Sequence, residues 1–264
     1  MLRPAPAWND VLGGLAADPQ LPLSRRVHDV LFRAIVRGRI APGSHLPEIP
    51  IAEALGVSRV AVREAVRALT GEGLAEVFPN RGAFTVAFAV QDIEEVFSLR
   101  SALEALGARL ATQKLGRTDL ARLEDVLDEM REVDRSEDRF ASAWVDARFH
   151  RVLMEVSGHR RAIRAWHGLN AQITVVVYNS GSYFPDIHGL ADRHVPIIQA
   201  LRSGDADLAE RVVVQHIFDG GRLLLEAVRR DGAAGSRDGP SDEPATEQAP
   251  GPRRDPADVP SHRP

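Results

Sequence analysis

Four residues in the second half of the chain, one acid and three histidines, could together bind a metal ion. They are Asp146, His150, His194 and His216. Asp146 and His150 lie four positions apart in the amphipathic stretch WVDARFHRVLMEV, so in a helix both side chains project from one face. One carboxylate and three imidazoles suit a borderline divalent ion such as Zn²⁺, Ni²⁺ or Mn²⁺. The four side chains could therefore form a metal site if the helices that carry them meet.

Such a site could bind a ligand or catalyse a reaction, and the residues favour binding. A catalytic metal centre needs a general base close to a metal-bound water. Glu155 is the nearest carboxylate along the chain, and there is no base motif of the HExxH kind. The absence of cysteine also excludes a thiol nucleophile and thiolate ligands. We expect a binding protein, not an enzyme.

Composition predicts a two-domain protein whose smaller domain is basic. The chain has 264 residues and a net charge of −4, yet residues 23–89 carry nine arginines against six acidic residues. Helix-forming residues dominate from Val90 onward, which favours an all-helical larger domain. No apolar run is long enough to cross a bilayer, and no secretion signal opens the chain, so we expect a cytoplasmic protein. A basic domain on an acidic protein is typical of a small DNA reader joined to a sensor.

The sequence divides into four parts. Residues 1–22 lack sustained periodicity and are expected to form a flexible lead-in. Residues 23–89 and 90–230 are the two expected domains. Residues 231–264 are rich in Pro, Gly, Ser and charge, with almost nothing to bury, so we expect a disordered tail.

Residues 23–89 show the pattern of a winged helix-turn-helix, that is, three helices followed by a β-hairpin. Gly56 makes the turn between the second and third helices, and Ser58 is suited to cap the third. The segment AEVFPNRGAFTVAF then alternates on both sides of PNRG, as two short strands and a turn do. Three arginines, Arg59, Arg63 and Arg67, recur every four residues on the third helix. They could contact DNA or simply form a solvated face.

Residues 90–230 contain six helical patterns separated by glycines and short polar loops. The patterns cover about 91–114, 117–135, 139–157, 160–179, 190–203 and 205–229. Six helices with short links predict an antiparallel bundle. The expected fold is therefore mainly α, a winged helix-turn-helix followed by an all-helical bundle.

The N-terminal motifs resemble the DNA-binding domain of the GntR family of bacterial transcription regulators. The segments PGSHLPE, LGVSR, VREA and EGL…PNRG occur in the family order. The resemblance implies that Arg59 and Arg63 contact operator bases or phosphates, and that the wing around Gly82 lies along the minor groove. Ser58 at the helix N-terminus, Arg67 on the same stripe and Arg81 in the wing are further DNA-contact candidates from their positions. Two positions depart from the family: Ile49 stands where an arginine is usual, and Val60-Ala61 replaces a common Thr-Pro pair.

The second region, from about residue 92 to 229, resembles the FCD-type sensor domain of the FadR subfamily. That resemblance implies that Asp146, His150, His194 and His216 hold one divalent metal, whose open positions take water or a carboxylate effector. It also implies that Arg100 faces the pocket, although an ion pair with Glu104 four residues later is an alternative. Pro196, two residues after His194, is a departure. Unless the helix begins near Val195, a proline there would kink it, and whether His194 is displaced from the site stays open at this point.

Together these features predict a transcription regulator that binds a palindromic DNA operator as a homodimer. A small carboxylate bound at the metal site is expected to control operator affinity. Two alternatives remain open from the residues, a regulator that responds to metal alone and a metal-dependent enzyme fused to a DNA-binding domain. No membrane partner is expected.

Overall fold

The computed structural model of the chain describes residues 8–15, 20–136, 138–179 and 189–235, and its N-terminal part is a winged helix. Its helices and strands are α1 (Trp8–Leu12), α2 (Leu23–Val36), α3 (Glu48–Leu55), α4 (Arg59–Gly71), β1 (Ala75–Phe78) and β2 (Gly82–Thr85). The two strands pair antiparallel, with Ala75 opposite Thr85 and Phe78 opposite Gly82. The predicted three helices and hairpin are confirmed.

A tight turn joins α3 to α4. Gly56 ends α3 with φ 64°, a left-handed conformation that glycine adopts without strain. Ser58 then caps α4, because its hydroxyl accepts a hydrogen bond from the backbone N–H of Ala61 at 3.2 Å. The predicted cap is confirmed, and it fixes where the exposed face of α4 begins.

The first described segment differs from the expected flexible lead-in. Trp8 and Leu12 of α1 are each only 7% exposed, and Val11 and Leu15 pack against the same core. The expectation is wrong for this segment because these apolar residues recur at helical spacing and cover α2 and α3. Five residues are too few for a helix to be stable alone, so tertiary packing holds α1 in place.

The C-terminal part consists of six helices arranged around one apolar core. They are α5 (Val90–Lys114), α6 (Arg117–Ser136), α7 (Arg139–Ser157), α8 (Arg160–Asn179), α9 (Leu190–Ser203) and α10 (Ala206–Gly235). The helix α5 packs against α7, α8 and α10, and α6 against α7 and α9. The predicted helical bundle is confirmed. No described helix has the length and apolarity that would let it cross a bilayer.

The helix α10 continues past the expected start of the disordered tail at residue 231. It ends at Gly235, so residues 231–235 are helical. The remaining tail, residues 236–264, lies outside the described residues.

The two parts of the chain share α8. Ala171 and Val175 on this helix are buried in the core of the winged helix, whereas Ile173 and Val176 belong to the core of the bundle. The Gln172 side chain also donates a hydrogen bond to the backbone carbonyl of Glu72 at 3.2 Å. The winged helix is therefore seated on the bundle through one helix.

His28 is a buried ring that ties α2 to the end of α4. Its Nε2 lies 2.9 Å from Oε2 of Glu72, and its Nδ1 lies 3.1 Å from Oδ1 of Asp29. Burial lowers the pKa of His28, but hydrogen bonds to the two carboxylates outweigh burial and raise this pKa above its ordinary value. The protonated ring can donate to both carboxylates at once.

We expect this cluster to make stability depend on pH. Because the pKa of His28 is higher in the folded chain than in the unfolded one, its contribution is complete below about pH 6.5 and is lost as pH rises through the folded-state pKa. His28→Asn should cost about 1 to 3 kcal/mol at low pH and less at high pH. Urea unfolding at about pH 5.5 and about pH 8.5 measures the difference between wild type and variant. A difference that does not change with pH would contradict the charged cluster.

Candidate metal centre and DNA-facing surface

The four residues singled out from the sequence meet at one point in the bundle. Asp146 and His150 project from one face of α7, His194 comes from α9 and His216 from α10. One ligand atom of each lies within 4.8 Å of those of the other three. The helical spacing on α7 and the packing of α9 and α10 thus bring together a set that is spread over the sequence.

The hydrogen bonds of two rings show which nitrogen carries the proton. Nδ1 of His150 donates to Oε2 of Glu104 at 2.6 Å, and Nδ1 of His194 donates to the carbonyl of Leu190 at 2.8 Å. Because both acceptors lack a proton to give, each neutral ring keeps a lone pair on Nε2. A carboxylate behind a metal-binding histidine is the usual outer partner of such sites.

Charge and burial favour the ligating state of these groups. Burial lowers the pKa of both His150 and His216 below the ordinary value, so both rings are neutral near pH 7. Burial alone would raise the pKa of Asp146, but its interactions with His150, His194 and the Arg100 guanidinium hold it well below its usual range. The Nε2 lone pairs of His150 and His194 and the ionised carboxylate of Asp146 therefore face one another, with Nε2 of His216 beside them.

The spacing of these atoms fits a metal ion. Nε2 of His150 lies 3.3 Å from Nε2 of both His194 and His216, and Oδ1 of Asp146 lies 3.3 Å from Nε2 of His194. Lone pairs this close repel one another unless a cation lies between them. Two nitrogens bound tetrahedrally to one zinc ion are about 3.3 Å apart. The donor set thus suits the divalent ions expected from the sequence.

Arg100 forms the ion pair with Glu104 that the sequence left open as an alternative to a pocket-facing position. It also lines a cavity that lies beside the four residues. Its Nε donates to Oε1 of Glu104 at 2.7 Å, and its Nη2 lies 3.8 Å from Oδ2 of Asp146. The side chain is only 5% exposed. Arg100 is therefore held in a fixed position beside the metal ligands.

Sequence reasoning missed the central role of Glu104. Its carboxylate is fully buried and accepts hydrogen bonds from Arg100, from His150 and, at 2.6 Å, from Nε1 of Trp166 on α8. Burial would raise the pKa of Glu104, but Arg100 and His150 hold it well below the usual range. The sequence signal that could have identified Glu104 is its helical spacing from apolar residues, because it lies on the buried stripe of α5 with Phe97 and Ala108.

A cavity of about 430 Å³ opens next to the four ligands. Arg100, Asp146, His194 and His216 form one wall. Pockets that bind small molecules have volumes of about 300 to 1,000 Å³. The arrangement can hold a small ligand against a metal ion and a guanidinium group.

Pro196 does not displace His194, which answers the question that the sequence left open. The helix α9 runs from Leu190 to Ser203 through the proline, and His194 is fully buried within the ligand cluster. Proline removes only the backbone hydrogen bond to the carbonyl of Asp192. His194 keeps its place because its ring bonds to the carbonyl of Leu190, the first residue of the helix.

A second surface of interest lies on α4, where the three predicted arginines are exposed. Nε and Nη2 of Arg63 donate to the two carboxylate oxygens of Glu48 at 2.9 and 2.7 Å, and Nη2 of Arg59 lies 4.0 Å from the same carboxylate. The hydrogen bonds from Arg63 lower the pKa of Glu48. Arg67 is exposed one turn further along. Glu48 thus orients Arg63 while leaving the row accessible.

The wing presents a further cation. The guanidinium of Arg81 lies 5.6 Å and 5.5 Å from the ring centres of Phe78 and Phe84, within the range of cation–π contact. Gly82 has φ 88°, and a side chain there would come within 2.7 Å of Nε2 of His45. Only glycine fits this position, so the turn is held in one shape.

The wing and α4 border a common groove. It is lined by Gly82 and by the arginines of α4, together with Glu48 and Ile49. Ile49 and Val60, at the two positions that depart from the family pattern, are 48% and 60% exposed. Ala61 is buried, so only Val60 of its pair faces outward. Exposed apolar side chains at a DNA surface can contact thymine methyl groups.

Comparison with known protein families identifies both parts of the chain. Residues 23–85 match the family described as bacterial regulatory proteins, gntR family, and residues 95–219 match the FCD domain. These two matches define a transcription regulator with a winged-helix reader and a helical C-terminal domain. Both resemblances drawn from the sequence motifs are confirmed.

Individual relatives support the same class. The chain is 31% identical over 195 residues to the probable D-xylose utilization operon transcriptional repressor of Paenarthrobacter nicotinovorans, covering 74% of this chain and 85% of that repressor. It is 29% identical over 215 residues to the HTH-type transcriptional repressor RspR of Escherichia coli K12, covering 81% and 92%. The crystal structure of a putative GntR regulator from Rhodococcus sp. RHA1 aligns with a TM-score of 0.65 at 27% identity, covering 77% and 98%.

The chain therefore belongs to the GntR family and is a DNA-binding transcription regulator with an FCD domain. Its matched families and relatives are regulators, not enzymes, as the sequence predicts.

Removing the Glu104 carboxylate should destabilise the bundle strongly. Glu104→Ala removes the acceptor shared by three buried donors, and breaking a buried ion pair costs about 3 to 5 kcal/mol. Glu104→Gln keeps an acceptor and should cost less. The matched control is Glu94→Ala on the same helix, because Glu94 pairs with Arg229 at the surface and should contribute less than about 1 kcal/mol. Urea unfolding measures the costs, and equal costs at Glu104 and Glu94 would contradict this account.

Proposed function

We propose that this regulator binds one divalent metal ion at Asp146, His150, His194 and His216, and that a small carboxylate bound beside the metal controls its operator affinity. The observation that carries the proposal is the convergence of three imidazoles and one carboxylate beside a cavity, which Asp146, His194 and His216 line. When bound, the ion supplies a Lewis-acidic position for an oxygen ligand.

The charges around the cavity favour an anion. A divalent ion exceeds the single negative charge of Asp146, while the charges of Arg100 and Glu104 offset each other. The wall therefore carries a net positive charge once the metal is bound. The planar guanidinium of Arg100 can pair with a carboxylate oxygen in addition to its existing partners.

Contacts across α8 offer a route by which this site can influence the winged helix. His150 bonds to Glu104, and Glu104 accepts a hydrogen bond from Trp166 on α8. The same helix contributes Ala171 and Val175 to the core of the winged helix. A ligand that favours one position of α7 relative to α8 would therefore bias the position of the DNA-binding domain.

On the DNA side, we propose contacts by Arg59, Arg63 and Arg67 in the major groove and by the wing at Arg81 and Gly82. The exposed row on α4, with the N-terminus at Ser58 open to a phosphate, supports this arrangement. One such helix reads only a short half-site. We therefore propose that the protein acts in the cytoplasm as a homodimer on a palindromic operator.

Substitutions on α4 should weaken operator binding without unfolding the protein. Arg59→Ala and Arg63→Ala should each lower affinity about 5- to 150-fold, the range for loss of a base contact. Arg117→Ala, which removes an exposed arginine at the start of α6, is the matched control. Affinity is measured by fluorescence anisotropy at several salt concentrations, because a lost phosphate contact also reduces the salt dependence. If both variants bind like the Arg117 control, α4 is not the recognition helix.

The metal proposal predicts about one divalent ion per chain by elemental analysis. His150→Ala, His194→Ala and His216→Ala should each lower the metal affinity sharply, whereas His167→Ala, at an exposed position of α8, should not. Carboxylates that bind the loaded protein should raise its melting temperature, and a chelator should abolish that increase. Arg100→Lys should weaken carboxylate binding more than metal binding.

Three results would argue against parts of this proposal. Full metal content in the histidine variants would show that the ion binds elsewhere. Carboxylate binding that survives chelation would separate the acid from the metal and leave Arg100 as its anchor. A change in DNA affinity on metal addition, with no further effect of any acid, would favour the alternative regulator that responds to metal alone.

A further inference from the structure

In the cavity beside the candidate metal ligands, the polar groups that lie away from solvent are clustered on one wall. Arg100, Asp146, His194 and His216 form that wall. Each of these groups has a role in the proposed site, as metal ligand or as partner of the acid's carboxylate. A ligand therefore meets its charged partners at one end.

The remaining inner surface is apolar. Phe97, Leu190 and Ile217 are 5%, 4% and 1% exposed, so they form the enclosed part of the wall, and Val177 and Val212 lie beside them. A side chain at Gly221 would come within 2.7 Å of Cδ1 of Phe97, so this glycine lets the Phe97 ring pack directly against α10. The apolar wall is therefore closely fitted.

Further polar side chains of the lining lie toward solvent. Arg193 and Gln215 are exposed, and Nε2 of Gln215 donates to Oδ2 of Asp219 at 2.9 Å. The lining comes entirely from the helices α5, α7, α8, α9 and α10, in which most backbone groups pair within the helix. Among the described residues, the enclosed wall therefore offers little to a ligand hydroxyl group.

We infer that the effector is an acid with one carboxylate at one end and an apolar, unhydroxylated body, and not a polyhydroxylated sugar acid. This inference rests on the proposed function, in which the carboxylate meets the metal and Arg100. Buried hydroxyl groups without partners disfavour binding. Each methylene that the apolar wall removes from water should tighten binding about fourfold.

The test compares straight-chain acids of increasing length with a sugar acid of similar length. The full chain is loaded with Co²⁺, whose visible absorption reports carboxylate coordination, and titrated with acetate, butanoate, hexanoate, octanoate and gluconate. Calorimetry gives each affinity. Acetate tests contact with the metal alone, and the longer acids test the apolar wall.

We expect every acid to alter the cobalt spectrum and the affinity to rise about fourfold per methylene until the cavity is filled, with gluconate weaker than hexanoate. A spectrum that changes with acetate but an affinity that does not rise with chain length, or that favours gluconate, would overturn the inference and leave the proposed function intact. No carboxylate binding at all would overturn both.

A pair of matched variants tests whether the apolar body of the bound acid lies in this cavity. Leu223 lines the cavity and is 37% exposed, so Leu223→Gln should be tolerated in the fold. This variant should lower the affinity for octanoate severalfold and leave the affinity for acetate unchanged, because only the longer acid reaches the side chain. Leu99→Gln, at an exposed leucine of α5 outside the cavity, is the control and should bind both acids like wild type. Equal octanoate affinity in both variants would place the acid elsewhere and overturn the inference.

Discussion

The bundle depends on a single constraint, the buried carboxylate of Glu104. An ionised group without solvent contact is tolerated in a protein only when its partners are complete. Here the partners come from three helices, Arg100 on α5, His150 on α7 and Trp166 on α8. Moving any one of these helices would break a hydrogen bond to a buried charge. The same carboxylate fixes the proton of His150 on Nδ1, so one interaction determines both helix packing and the availability of a ligand atom.

Features that depend on neighbouring residues were predictable from the sequence. Gly56 and Ser58 fix the turn before α4 through local backbone and side-chain preferences, and the structure has both. Asp146 and His150 share a face because of the helical repeat alone. The meeting of these two with His194 and His216 was expected only through the family resemblance, since no local rule brings α9 and α10 to α7.

Features that depend on tertiary contact were missed or misjudged. Trp166 and Glu104 are 62 positions apart, so no local pattern links them. Likewise Glu48 and Arg63 pair across the turn between two helices, and the five-residue α1 gains its stability from the core that it covers. The sequence argument on Pro196 used the average effect of proline on helices. In the structure, proline costs the hydrogen bond to the carbonyl of Asp192, while the His194 ring stays bonded to the carbonyl of Leu190.

Residues of α8 belong to the core of the winged helix and to the core of the bundle. The boundary between the two domains in the sequence therefore does not separate two independent cores in the structure. Cutting the chain after residue 89 would strip the winged helix of Ala171 and Val175 and leave an apolar patch where they pack. Exchange of DNA-binding domains between relatives is therefore constrained. A transplanted domain must match this one helix of its new host, so the DNA-binding domain and the bundle cannot evolve entirely independently.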